Sequence, residues 1–116
     1  MDNTQIAVAS SDGIVVNNHF GKARKFYIYK VNDEVIDLQE IRELKPVCDT
    51  GNHDDERLRE NLNELIDCEY LLVSRIGDGA RNMALGMGIE AFEIPGIIKD
   101  SIDQLIKYVK IQKLFE

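Results

Sequence analysis

A short stretch of the sequence, NNHFGKARKF at residues 17–26, combines a histidine with a cluster of cations. His19 is followed at close spacing by Lys22, Arg24 and Lys25. A neutral imidazole is a metal ligand that a loop can present to solvent. Because the whole chain has a formal net charge of −7, this local cationic cluster indicates a site for an anionic, metal-containing guest. The alternative is a plain turn, in which Phe20 enters the core and Gly21 supplies a positive φ.

A second candidate is the loop CDTGNH, which contains Cys48 and His53. Thiolate and imidazole suit zinc or the iron of an iron–sulfur cluster. Two ligands do not complete a structural zinc site, and adding His19 and Cys68 gives a spacing that matches no zinc finger. Cys48 and His53 therefore stay open as ligands. Cys68 directly precedes an apolar segment, and we expect it to be buried in the core.

The third candidate is the stretch SRIGDGAR, in which Arg75 and Arg81 flank two glycines. Glycines between a strand and a helix leave backbone N–H groups at the positive end of the helix, where anions bind. The spacing matches neither the dinucleotide fingerprint nor a Walker motif. A turn that faces an anion and a purely structural turn remain equal alternatives.

Catalytic motifs are missing from the sequence. It has no G-x-S-x-G or H-E-x-x-H pattern, and no set of carboxylates can be seen to converge with Asp12 around divalent metals. A metal-dependent nuclease or phosphotransfer enzyme is therefore disfavoured, and we predict that the protein is not an enzyme.

Length and composition predict one globular domain over residues 1–116, with 44% hydrophobic and 30% charged residues. The acidic balance argues against nucleic acid as a partner, and the apolar runs are too short to span a membrane. The chain opens without a basic-then-apolar signal segment and has two cysteines, so we expect a cytoplasmic protein with reduced, unpaired thiols.

The secondary structure predicted to position these candidates changes near residue 54, from strands alone to helices that alternate with strands. Before it, residues 4–10, 25–31 and 34–44 predict three consecutive antiparallel strands, and residues 14–18 could form a short strand that returns from the Ser-Ser-Asp-Gly turn. After it, apolar spacing predicts a first helix, a strand at 69–74, a helix at 77–88, a strand at 89–94, a Pro-Gly turn and a last helix at 101–115. The inner face of the first helix is predicted to consist of Leu58, Leu62, Leu65 and Ile66. The inner face of the last helix is predicted to consist of Ile102, Leu105, Ile106 and Val109.

The predicted order β-β-β-α-β-α-β-α implies an α/β fold with a mixed sheet. Strands separated by single helices are expected to lie parallel. The order is compatible with a ribonuclease-H-like architecture.

Several motifs together resemble the nitrogenase iron–molybdenum cofactor biosynthesis family, which includes NifX-like proteins and the C-terminal domain of NifB. The resemblance rests on SSDG followed by HFGKA, then FYIY, and then DC before LLVSRIG, and it extends over nearly the whole chain. It implies a ribonuclease-H-like domain that transiently binds an iron–sulfur cluster, the iron–molybdenum cofactor or its precursor, as a non-catalytic carrier. Its implied partners are cofactor-assembly proteins or the apo-acceptor protein.

The resemblance also implies roles for individual residues. His19 is the position most associated with the cofactor, and Cys48 and His53 match a Cys-x-x-Gly-x-His-like loop found in part of the family. Lys22 and Arg24, together with Lys25, would complement the charge of a polyanionic cluster. The 116 residues include no radical-SAM part like that of full-length NifB, so we expect no cluster synthesis by this chain. The competing hypothesis is a small metal-free regulatory or interaction domain of the same fold, with His19 as a turn residue.

Overall fold

The computed structural model describes residues 2–47 and 55–116. Its strands are β1 (Thr4–Ala9), β2 (Val15–Val16), β3 (Lys25–Asn32), β4 (Val35–Glu43), β5 (Tyr70–Val73), β6 (Glu90–Glu93) and β7 (Gly96–Ile97). The helices of this part of the chain are a 3-10 helix (Phe20–Lys22), α1 (Asp55–Asn63), α2 (Asp78–Gly86) and α3 (Ile98–Leu114).

The main sheet has five strands in the order β4-β3-β1-β5-β6. β1 pairs antiparallel with β3, which pairs antiparallel with β4, and β1 pairs parallel with β5, which pairs parallel with β6. In this register Val8 lies opposite both Tyr27 and Leu72. The predicted mixed sheet, with three antiparallel strands followed by parallel ones, is therefore confirmed.

Two layers of helices cover this sheet. All four residues from Ile6 to Ala9 in β1 are fully buried, as expected for a strand covered on both faces. Alternate β1 residues face the two sides: Ala7 and Ala9 pack in one cluster with α1 and α2, and Ile6 and Val8 pack in another with α3. The predicted inner face of α3 is confirmed, because its buried residues include Ile102, Leu105, Ile106 and Val109.

The short segments after the first turn differ from the prediction. Within residues 14–18 only β2 is a strand, and it pairs with β7 rather than with β1. β7 includes Gly96, which was predicted to lie in a turn, and α3 begins at Ile98, three residues before the predicted Ser101. The Ile98 N–H donates to the carbonyl of Ile14 at 2.9 Å. This two-strand ribbon therefore ties the loop after β1 to the start of α3.

The inner face predicted for the first helix is also partly wrong. α1 ends at Asn63, so Leu65 and Ile66 lie in the turn that follows it. Leu65 still enters the core, whereas Ile66 is 50% exposed. The cause is the early end of the helix, because Ile66 lies in a turn and no longer continues the helical stripe. In this turn the Leu65 N–H donates to the Leu62 carbonyl at 3.0 Å.

No helix in the described part of the chain is long and apolar enough to cross a membrane.

Candidate anion and metal-cluster site

The candidate site lies where the direction of strand pairing changes. β1 has an antiparallel neighbour on one side and a parallel neighbour on the other. The loops that follow β1 and β5 meet at this edge, where His19 and Arg75 form an isolated parallel bridge. In open α/β sheets, crevices outside the carboxyl ends of parallel strands are the usual places for ligands.

The loop after β1 is shaped by a turn at Ser10–Gly13. The Asp12 carboxylate accepts the N–H groups of Ile14 at 2.8 Å and Val15 at 3.1 Å. These bonds, led by that from Ile14, lower the pKa of Asp12. Gly13 has a φ of +77°, and a Cβ there would lie 2.8 Å from the Tyr27 ring. The turn therefore requires glycine at this position, and Asp12 has a structural role.

His19 is exposed on a well-anchored backbone. The Ser74 N–H donates to the Asn18 carbonyl at 3.0 Å, and the Phe20 N–H donates to the Arg75 carbonyl at 2.8 Å. Phe20 is only 3% exposed and packs in the core, whereas the His19 side chain faces solvent. The main chain is thus fixed by the core and by the loop after β5, while the imidazole remains accessible.

The positive φ that the plain-turn alternative assigns to Gly21 is not found. Among the described glycines, those with positive φ are Gly13, Gly88 and Gly96. Gly21 instead lies inside the 3-10 helix, whose turn is closed by a hydrogen bond from the Lys22 N–H to the His19 carbonyl at 3.0 Å. The motif therefore bends by helical geometry, not by a left-handed glycine.

Two shallow cavities adjoin at this edge. One has a volume of about 310 Å³ and is lined by His19, Gly21, Lys22, Arg75, Ile76 and Gly77. The other has a volume of about 340 Å³ and is lined by Ser11, Asn18, Lys22, Arg24 and Lys25. Lys22 borders both, and we call the two adjoining cavities together the strand-end site. It carries an imidazole and four cationic side chains on an otherwise acidic protein.

The loop after β5 is held by a carboxylate that sequence reasoning missed. Glu93, at the end of β6, accepts the Ile76 N–H at 2.8 Å and lies 3.4 Å from the Arg81 guanidinium. Arg81 thus pairs with Glu93, whereas Arg75 lines the cavity with His19. Of the two arginines that flank the glycines, Arg81 therefore stabilises the loop and Arg75 faces the site. No local pattern distinguishes them, because Glu93 is remote in sequence.

The remaining candidate ligands are two cysteines and one histidine. Cys48 and His53 lie outside the described residues. Cys68 is 1% exposed, as predicted, and burial together with the charge of Asp67 raises the pKa of its thiol to about 12. The thiol is therefore protonated at neutral pH, and we do not expect it to bind a metal. Within residues 2–47 and 55–116, no three His, Cys, Asp or Glu side chains form a group that could hold a metal ion. Among these residues, His19 is the candidate ligand that lines the strand-end site.

Residues 3–108 match the family described as dinitrogenase iron-molybdenum cofactor, and the chain belongs to this family. It is 33% identical over 103 residues to the FeMo cofactor biosynthesis protein NifB of Frankia alni, covering 86% of this chain and 20% of that protein. It is 30% identical over 90 residues to the protein NifX of Azotobacter vinelandii, covering 78% of this chain and 56% of that protein. The chain therefore spans about a fifth of the NifB relative and about half of the NifX relative.

Solved structures share the fold. A candidate NifB protein from Thermotoga superimposes with a TM-score of 0.60 at 19% identity, covering 90% of this chain and 88% of that one. A candidate dinitrogenase protein from Methanocaldococcus jannaschii gives 0.56 at 15% identity, covering 91% and 89%. At these identities the likeness concerns the fold alone.

Proposed function

We propose that this domain binds and carries an iron–sulfur or iron–molybdenum metallocluster, or its precursor, during cofactor assembly, without catalysing a reaction. The observation that supports this most strongly is the strand-end site, where exposed His19 borders a cavity lined by cations on an acidic protein. The family description and the name of the NifB relative support the same role, since that relative is a FeMo cofactor biosynthesis protein.

The chemistry of the donors fits such a guest. Iron–sulfide clusters of this kind are polyanionic, so Lys22, Arg24 and Lys25 offset their charge, while the imidazole of His19 binds one iron. Cys48 and His53 are secondary candidate ligands. A carrier must release its cargo, and few protein ligands favour release over the permanent hold of a four-cysteine cage.

The strand order β4-β3-β1-β5-β6, with its single antiparallel-to-parallel change, supports a ribonuclease-H-like architecture. We place the domain in the cytoplasm, where thiols stay reduced. Its partners would be cofactor-assembly proteins that donate the cluster and the apo-acceptor protein that receives it.

Anaerobic reconstitution tests this function directly. The purified protein is incubated with a synthetic iron–sulfur cluster, desalted, and analysed for iron, sulfide and charge-transfer absorption per folded molecule. We expect stoichiometric, reversible uptake. A colourless protein without iron would contradict the proposal and favour a metal-free regulatory or interaction domain.

The contribution of charge is tested in the same assay. The triple variant Lys22→Gln, Arg24→Gln, Lys25→Gln should bind cluster more weakly at low salt and differ less from the parent at high salt, because screening shortens the range of exposed charges to about 3 Å at 1 M. The matched control is Lys107→Gln, Lys110→Gln, Lys113→Gln, which removes the same charge from exposed positions on α3. Equal weakening in both variants would show that net charge, not the strand-end site, attracts the cluster.

A further inference from the structure

We infer that Arg75 is a second anchor for the anionic cargo, acting beside His19 at the same cavity; this inference rests on the proposed function. The sequence left the loop of Arg75 open as a structural turn or an anion-facing turn. The structure assigns it to the strand-end site through its position, its available charge and its fixed backbone.

The position of Arg75 follows from strand geometry. His19 and Arg75 are partners in a parallel bridge, and side chains of directly paired residues project to the same side of a sheet. Both residues also line the cavity of about 310 Å³. A ligand bound to the imidazole therefore lies within the space that the Arg75 side chain borders.

The charge of Arg75 is available for a ligand. Its side chain is exposed, and no ion pair with the other described residues engages it, in contrast to Arg81, which lies 3.4 Å from Glu93. A guanidinium offers five N–H donors in a planar fork and is less strongly hydrated than an ammonium group. It can therefore donate to two acceptor atoms of one anion at the same time.

The backbone around Arg75 is held before any ligand arrives. Its carbonyl accepts the Phe20 N–H at 2.8 Å, and the next N–H, that of Ile76, donates to Glu93 at 2.8 Å. Binding thus requires ordering of the arginine side chain but not of its loop, which lowers the entropic cost of association.

These features select the chemical class of the ligand. A guanidinium on a fixed backbone beside an imidazole favours a polyanion with several acceptor atoms and disfavours a bare divalent metal ion, which the guanidinium repels. Cluster or polyanion binding should therefore depend on Arg75, whereas binding of iron(II) alone should not weaken when Arg75 is neutralised.

Two probes test this, inorganic pyrophosphate as an iron-free polyanion and a synthetic iron–sulfur cluster. Both are titrated into the parent, Arg75→Gln, Arg75→Lys and the control Lys107→Gln, which removes one charge from the exposed side of α3. We expect Arg75→Gln to bind either probe about threefold to tenfold more weakly at low salt, with a smaller difference at high salt. Arg75→Lys should fall between Arg75→Gln and the parent, and Lys107→Gln should stay within about twofold of the parent.

The outcomes distinguish this inference from the proposed function. Cluster uptake that is unchanged in Arg75→Gln, with pyrophosphate binding equal to that of Lys107→Gln, would overturn the role of Arg75 and leave the carrier function intact. A parent protein that takes up no cluster but binds pyrophosphate through Arg75 would overturn the proposal that the cargo is a metallocluster and would support the role of Arg75 in binding an anion. A parent that binds neither probe would overturn both. Melting curves of each variant provide the normalisation to folded protein.

Discussion

Two arginines show how the same side chain serves different purposes in this fold. Arg42, in β4, donates from two nitrogens to the Asp67 carboxylate at 2.8 and 2.7 Å, and also to Glu40 at 2.6 Å and the Glu64 carbonyl at 2.8 Å. Its side chain is 19% exposed. Arg75, after β5, is exposed and borders the cavity of His19.

The difference between them lies in which partners the fold supplies. Around Arg42 every strong acceptor is internal, and Gln5 adds a hydrogen bond to Asp67 at 2.9 Å, so that β1, β4 and the turn before β5 are joined. Around Arg75 the fold fixes only the backbone. We interpret the Arg42–Asp67 pair as a structural clamp and Arg75 as a group held ready for an external anion.

The largest expected effect on stability comes from breaking the clamp. Arg42→Ala removes several charge-assisted hydrogen bonds, so we expect a loss of about 1–3 kcal/mol in the free energy of unfolding. The matched variant Arg75→Ala should change it by less than about 0.5 kcal/mol, as at most exposed positions. Urea titrations of both variants measure this directly. Similar losses in the two would contradict the assigned division of roles.

Acid should weaken the clamp between Arg42 and Asp67. The hydrogen bonds from Arg42 hold the pKa of Asp67 well below its usual value of 3.8. A lowered pKa in the folded state means that the stabilisation is complete above the ordinary value and is lost as pH falls below it. We expect the melting temperature of the parent to fall more steeply below about pH 4 than that of Asp67→Asn. Because the pair is partly exposed, added salt should reduce the contrast. Parallel acid profiles would refute this assignment.

A smaller effect is expected from Glu93, which acts on the site through the loop of Arg75. Glu93→Ala leaves the Ile76 N–H without its acceptor, so cluster affinity should fall by about twofold to fivefold and the free energy of unfolding by about 1 kcal/mol. Glu93→Gln keeps an acceptor oxygen and should remain close to the parent. Hydrogen exchange of the Ile76 amide provides an independent measure, since it should quicken in Glu93→Ala alone. Unchanged exchange would mean that the carboxylate does not hold this loop.

The main sheet and its helices could be predicted because their signals are local. β3 is rich in aromatic and β-branched residues, and α3 repeats apolar residues at helical spacing, so each segment indicates its own conformation. The exposed histidine beside a basic cluster was also visible in the sequence. These features need no knowledge of which segments meet in space.

The unpredicted features depend on contacts between segments far apart in the chain. Val15 and Ile97 form a ribbon whose strands are two residues long, too short for a periodic pattern. The bridge of His19 to Arg75 and the bond of Ile76 to Glu93 likewise join separate loops. Local propensity carries no information on such pairings, which is why the division between Arg75 and Arg81 emerged from the structure.

The central claim, that His19 binds an iron of the cargo, is tested most directly by cluster affinity of His19→Ala under anaerobic conditions, normalised to folded protein. Because the imidazole is exposed and the core contacts come from Phe20, the variant should melt near the parent temperature. Loss of one ligand from a site with few others should lower affinity by about tenfold or more, equivalent to about 1.4 kcal/mol per factor of ten. Equal affinity in His19→Ala and the parent would contradict the claim and shift the iron ligand to Cys48 or His53.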